Sequence, residues 1–240
     1  MEFQGFPTAM FEFFMAISFN NNVEFFEANR ERYESDVKRP LYAFAEGLAP
    51  AARAVDADME LRPSKAVSRL RRDTRFTRDK LPYRDHMWIG FRRQGNPKGE
   101  CFSLYFEIGC GALRYGAGWY DDDARRAKAL RAAITRRQRD FQAIAEDPAL
   151  TGEFTLKTSP YKRIELPNGL PQSLIPYYTA KGFYFEHEEK TGAQALRPAL
   201  LDQVSKGFLA LKPVYQFMLE ETWKLGEEPE REKSRWEGFF

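Results

Sequence analysis

A chain of 240 residues, 43% of them hydrophobic, carries enough apolar surface for a substantial core in one large domain. Its formal net charge of +2 excludes a surface built throughout to hold a polyanion, so any anion site must be local. Two cysteines are too few for a disulfide framework, no charged-then-apolar leader opens the chain, and no window approaches the roughly 18 unbroken apolar residues of a membrane helix; the expectation is a cytoplasmic protein that does not enter a membrane.

Phe11, Phe14, Met15 and Ser18 fall on one helical stripe, which Asn20, Asn21 and Asn22 interrupt with residues that favour turns and N-caps. A second helix is expected from Asn22, and a longer helical stretch runs toward Ala54, with Pro40 placed to kink or restart it. From Ala66 the period becomes two. Ala66, Ser68 and Leu70 alternate with Val67, Arg69 and Arg71, and Met87, Ile89 and Phe91 alternate with Trp88, Gly90 and Arg92; both read as strands. Gly95 and Asn96 mark a turn, Phe102 to Ile108 makes a third strand, and Leu113, Tyr115 and Trp119 a fourth. Short turns between neighbours imply antiparallel pairing.

Asp121, Asp122 and Asp123 place negative charge at a helix start, and Ala127, Leu130, Ile134, Phe141 and Ile144 keep helical spacing up to Pro148. Short strands at 154–158 and 182–187 follow, then a last helix with Leu200, Val204, Phe208, Leu211, Tyr215 and Met218 on one face, kinked near Pro213. The predicted fold class is α+β: an antiparallel β-meander sheet packed by helices, a single domain over residues 1–226, with a charged tail at 227–240.

The segment Arg69 to His86, RLRRDTRFTRDKLPYRDH, is an arginine-rich loop in which seven cations against three carboxylates leave +4, more than the whole chain carries. Lying between two predicted strands, it gathers its side chains at one end of the sheet, where a rigid scaffold presents binding residues. Arg69, Arg71, Arg72, Arg75, Lys80 and Arg84 offer forks and point charges for a phosphate or carboxylate. Tyr83 and Phe76 offer flat rings, Asp73 and Asp79 are the candidate acid or base groups, and His86 titrates in the useful range. The competing reading is a long hairpin connection pinned by Arg–Asp pairs, with Pro82 fixing the turn.

The string RDTRFTRDKLPYR resembles the RDxRFSxDKxPYK signature of a bacterial and fungal family catalogued as domain of unknown function 2461, and NNVEFFEANRERYESDVKRP, from Asn21 to Pro40, is similar to that family's other signature. The resemblance picks out Asn21, Asn22, Glu24, Phe26, Asn29, Arg30 and Tyr33 in the first string, and Arg72, Asp73, Arg75, Phe76, Asp79, Lys80, Pro82 and Tyr83 in the second. Phe25, Thr77 and Arg84 stand where the family often has Trp, Ser and Lys, swaps that keep the residue type. No activity comes with the resemblance. It implies that the two strings belong together, with the Asn21–Tyr33 region, including Asn22 and Arg30, packed beside the basic loop to complete one ligand site.

The expected ligand is therefore an anionic small molecule, phosphorylated or carboxylated, with no cofactor. A second reading makes the chain a nucleic-acid module, in which the loop joins the basic helix 124–141 (Arg125, Arg126, Lys128, Arg131, Arg136, Arg137 and Arg139) in one surface. A third makes the loop structural and assigns function to protein contacts, for example by Trp236, Phe239 and Phe240 in the tail. Gly116 and Gly118 begin a dinucleotide-like pattern, but no parallel βαβ unit surrounds them. Glu188 to Lys190 reads as solvated surface. Cys101 and Cys110 read as sheet residues, and with His86 and His187 they give no metal-ligand spacing.

Overall fold

The computed structural model describes residues 2–75, 78–95, 102–119 and 124–222. The readings of Phe76, Thr77, Asn96, Cys101, Asp121 to Asp123 and the charged tail therefore lie outside the described residues.

The N-terminal quarter is helical as expected, although the first helix turns a different stripe to the core, leaving Met15 and Ser18 exposed. Helix α1 (Thr8–Phe19) buries Met10, Phe13, Phe14 and Ile17, and Asn22 then caps α2 (Val23–Ala28) by accepting from the Phe25 amide at 2.8 Å. A short α3 (Arg30–Arg32), a π-helical stretch (Tyr33–Lys38) and α4 (Arg39–Val55) follow almost without a break. Pro40 is the physical reason for the π turn. It brings no amide hydrogen to the ladder, and the Arg39 amide next to it reaches back five residues to the Glu34 carbonyl.

The sheet contains β1 (His86–Phe91), β2 (Ser103–Gly109), β3 (Ala112–Gly118), β4 (Thr155–Pro160) and β5 (Ala180–Lys190), in the order β1-β2-β3-β5-β4 with every neighbour antiparallel. The first three strands form the expected meander. The late pair adds beside β3, with β4 at the edge. Met87, Ile89 and Phe91 from β1 and Leu104, Phe106 and Ile108 from β2 are fully buried, with Phe106 against Phe44 of α4 (4.6 Å between ring centroids) and Phe6 (6.0 Å).

Between the first helices and β1 lies α5 (Pro63–Ala66), and after β3 come α6 (Ala124–Arg136), α7 (Gln138–Ala145) and α8 (Pro148–Thr151). Helix α9 (Ile175–Tyr178) precedes β5, and α10 (Ala199–Ala210) and α11 (Lys212–Thr222) close the described chain, broken at Leu211 beside Pro213 as expected. Helix α10 packs along α4 and against β3, whereas α6 packs on α11, α9 and β5. Among the described residues no helix is long and apolar enough to cross a membrane.

Two expectations need correction. The period-two run from Ala66 to Arg71 is not a ladder strand: residues 63–66 are helical, and the backbone of the rest pairs with its neighbours in isolated bridges, Val67 to Ile89 and Arg71 to Tyr83. Side chains take over part of its hydrogen bonding, since the Ser68 hydroxyl accepts from the Trp88 amide at 3.0 Å and the Arg84 guanidinium donates to the Arg69 and Arg71 carbonyls at 2.9 and 3.0 Å. Cys110 lies in the turn between β2 and β3, exposed, with its thiol donating to the Phe11 carbonyl at 3.3 Å. Gly116 has a packing reason instead of a nucleotide-binding one: a Cβ there would sit 1.8 Å from the Phe185 carbonyl oxygen of β5.

Candidate functional site

The two sequence strings meet at one side chain. Asn21, in the turn after α1, donates from Nδ2 to the Tyr83 carbonyl and accepts at Oδ1 from the Tyr83 amide, both at 2.9 Å. A carboxamide presents an N–H and a carbonyl oxygen side by side in one plane, so it pairs with a residue's backbone as a neighbouring strand would. The Phe26 ring stacks on Tyr83 at 4.6 Å with 24° between planes, and Tyr33 tilts against Phe26 at 5.5 Å. The packing of Asn21–Tyr33 beside the basic loop is thus a feature of the fold.

Within the loop the charges are largely directed at one another. Arg72 pairs with Asp79, Arg75 with Asp73 at 2.7 Å, and Lys80 donates to the Thr74 carbonyl at 2.7 Å. Hydrogen bonds from the Arg75 side chain, then from its amide, hold the Asp73 carboxyl down at about 2. The Arg72 side chain and the Leu81 amide likewise hold Asp79 below its ordinary value. Arg84 lies over the Trp88 ring at 4.6 Å, and His86 Nδ1 is 2.9 Å from Asp85. A cleft of about 490 Å³ opens here, lined by Arg72, Arg84 and His86 but also by Asp73, Asp79 and Asp85. Its two arginines therefore face three carboxylates, more negative charge than they supply.

On the other side of Tyr83 lies a groove of about 420 Å³ with a different balance. Arg30, Lys38, Arg69 and Arg71 line it against a single carboxylate, Glu27. One wall is helical and aromatic (Phe26, Tyr33, Tyr42), and the other is the 64–71 segment with Ser64 and the two arginines. Arg69 and Arg71 stand two residues apart in extended chain, so they share a side of it. Neither has an ion-pair partner among the described residues, and both are exposed. Arg30 is held by Glu27 at 2.6 Å and lies 5.4 Å from the Phe26 ring; Lys38 is held by Glu34 at 2.9 Å. Burial, with Glu34 and Tyr42 nearby, pushes the Tyr33 hydroxyl up to about 12.

The predicted ligand residues are thus divided by the fold. Arg69, Arg30 and Tyr83 line the groove; Arg72, Arg84 and again Tyr83 line the cleft; Arg75 and Lys80 bond within the loop, and Asn22 is a helix cap. The sequence reading did not single out Ser64, nor Lys38 and Tyr42, whose signal lies in the register of the π turn. It also missed a second polar cluster. Tyr115 of β3 stacks on His187 of β5 at 4.6 Å and donates to Glu153, Gln203 of α10 donates to the Tyr115 hydroxyl at 3.3 Å and to Glu189 at 3.0 Å, and His187 Nδ1 lies 3.1 Å from the Glu153 carbonyl. These residues are scattered over 89 positions, and no local pattern joins them.

The remaining charged stretches are also engaged. On the basic helix, Arg136 pairs with Glu221, and Arg137 with Asp140, Glu220 and Glu221, while Arg126 is buried. That helix packs toward β5, one strand in from the β4 edge, whereas the arginine-rich loop leads into β1, the edge strand at the other end of the sheet. Glu188 pairs with Arg114. Among the described residues no three His, Cys, Asp or Glu side chains converge as metal ligands.

The sequence model of a family described as "Conserved hypothetical protein (DUF2461)" matches residues 9–217. No curated protein matches the chain.

Proposed function

Because this chain belongs to the DUF2461 family, whose description names no activity, we propose a function from the geometry: binding of a phosphorylated or carboxylated small molecule in the groove between the 26–42 helical segment and residues 64–71. The observation that carries the reading is the excess of positive charge there, four cations around one carboxylate in a groove of about 420 Å³, within the size range of small-molecule sites. Arg69 and Arg71 supply the anion contacts, since guanidinium forks match carboxylate and phosphate oxygens and these two are not spent on ion pairs among the described residues. Arg30 and Lys38 add field from the opposite wall. Arg84 acts as a positioning residue, fixing the carbonyls of the two residues that carry the forks.

The charge state of the candidate bases favours binding over acid–base chemistry. Asp73 and Asp79 are held low by arginine partners, and a carboxylate with a depressed pKa is a weak proton acceptor at neutral pH. The nucleic-acid reading needs one surface from the loop and the basic helix, whereas the loop leads into edge strand β1 and the helix packs against β5, three strands away.

Thermal unfolding against a panel of nucleotides, sugar phosphates, di- and tricarboxylates and short oligonucleotides tests the proposal. A ligand at about a hundred times its dissociation constant stabilises by roughly 2.7 kcal/mol, about 5 to 10 °C for a chain of this size. The double variant Arg69→Ala, Arg71→Ala should keep the unliganded unfolding temperature and lose the shift. No shift with any compound, or a shift that survives in the variant, overturns the reading.

A further inference from the structure

The π turn between α3 and α4 changes which residues reach the groove. Phe26, Arg30 and Tyr33 follow the i, i+4, i+7 spacing of one helix face, and an uninterrupted α-helix would continue that face through Val37 and Leu41. Instead Val37 and Leu41 are fully buried in the core, and the groove is lined by Lys38 and Tyr42, one residue later. The i to i+5 step from Tyr33 to Lys38 thus splits a single sequence stripe in two, sending its apolar continuation inward and delivering a cation and a ring to the groove. A π turn has poorer hydrogen-bond geometry than the α-helix it interrupts, and such turns recur at functional sites.

The ring so delivered is available. Phe26 and Tyr83 are stacked on each other, whereas half-buried Tyr42 has no ring partner among the described residues and carries only the Lys38 ammonium, 5.8 Å from its centroid. Across the groove stand Arg69 and Arg71. With Glu34 counted as the partner of Lys38, the groove's cations keep a surplus of two positive charges, more than one carboxylate neutralises and close to the charge of about −1.5 to −2 that a phosphomonoester brings. We propose that the ligand is an aromatic phosphate of mononucleotide size, with its ring on Tyr42 and its phosphate between Arg69 and Arg71. This deepens the anion-binding reading above and rests on it.

The test compares calorimetric binding of adenosine monophosphate, ribose 5-phosphate, inorganic phosphate and a ten-residue oligodeoxyadenylate to the full chain, to Tyr42→Ala and to Tyr42→Phe. The proposal expects adenosine monophosphate to bind at least about fivefold more tightly than ribose 5-phosphate, with that advantage lost in Tyr42→Ala and kept in Tyr42→Phe. Tyr42→Phe preserves the ring, so it separates stacking from a folding defect. Equal affinity for the two phosphates, or an advantage untouched in Tyr42→Ala, overturns the aromatic assignment and leaves the anion groove standing. Binding of none of the probes overturns the phosphate assignment, and the wider panel then decides whether any anion binds. Oligonucleotide affinity far above that of the mononucleotide, falling steeply with salt, assigns the groove to a single strand and also overturns the proposal.

Discussion

Replacing Asn21 with Ala should destabilise the protein by about 2 to 3 kcal/mol. The side chain makes two hydrogen bonds of 2.9 Å to the backbone of Tyr83, a residue that is only 4% exposed. Each such bond contributes about 0.5 to 1.5 kcal/mol net, and truncation leaves an N–H and a carbonyl without their partner in a site where water has limited access, which adds to the loss. Asn21→Asp is the informative control. It keeps an acceptor for the Tyr83 amide but turns a second oxygen toward the Tyr83 carbonyl, so it should recover little of the loss despite being nearly isosteric. Urea unfolding with an unchanged m-value gives the free energies, and amide exchange at Tyr83 should rise in both variants. A cost below about 0.5 kcal/mol for Asn21→Ala, with Tyr83 still protected, would show that the clamp does not hold the two segments together.

Two further outcomes follow from buried and paired carboxylates. Asp56 is 7% exposed and accepts from Arg93 at 2.7 Å and from the Tyr215 hydroxyl at 2.8 Å, so Asp56→Ala removes both bonds, with Arg93 keeping its pair to Asp58, and should cost about 2 kcal/mol in denaturant unfolding; a cost under about 0.5 kcal/mol would contradict this account. Asp73 is held at about 2 by Arg75, below its ordinary value of 3.8. A carboxyl depressed on folding contributes to the folded loop fully above its ordinary value, and loses that contribution as pH falls through its folded one. An NMR titration of the Asp73 carboxyl carbon should therefore give a midpoint near 2 that returns toward 3.8 in Arg75→Ala; a midpoint of 3.8 before substitution would mean that the pair does not form in solution.

Much of the fold is legible because its signals are local. Period-two alternation places β1, β2 and β3 within a residue or two, and the break at Pro213 follows from a residue that cannot donate. The alternation survives in burial, with Leu70 in the core between exposed Arg69 and Arg71, although the segment they sit on is not a ladder strand. Periodicity reports which residues share a side; it does not report whether a backbone finds a ladder partner, and here Ser68 and Arg84 side chains supply part of that bonding. The pairing of the loop's charges was not legible. Net charge along the loop points to Arg69–His86, yet the sum hides that Arg72 and Arg75 are matched by Asp79 and Asp73 from the same loop, while Arg69 and Arg71 are left to the groove. Tyr42 was out of reach because a helical wheel drawn through the π turn assigns it to the wrong face.

The groove has no wall made of regular structure alone, and this explains why the two strings work as a pair. The helical wall owes its register to the π turn at Tyr33–Lys38, and the arginine wall owes its position to the carbonyls that Arg84 holds. Arg84 follows Tyr83 directly, and Tyr83 is fixed by Asn21 from the first string. Asn21 is therefore linked to Arg69 and Arg71 through one residue and one guanidinium, although it lines only the cleft on the other side. A loosened clamp should act on the groove as well as on stability: in Asn21→Asp, ligand affinity should fall at temperatures where the protein is still fully folded. Each string on its own describes a capped helix or a salt-bridged loop, and the cation-lined groove is produced by their contact.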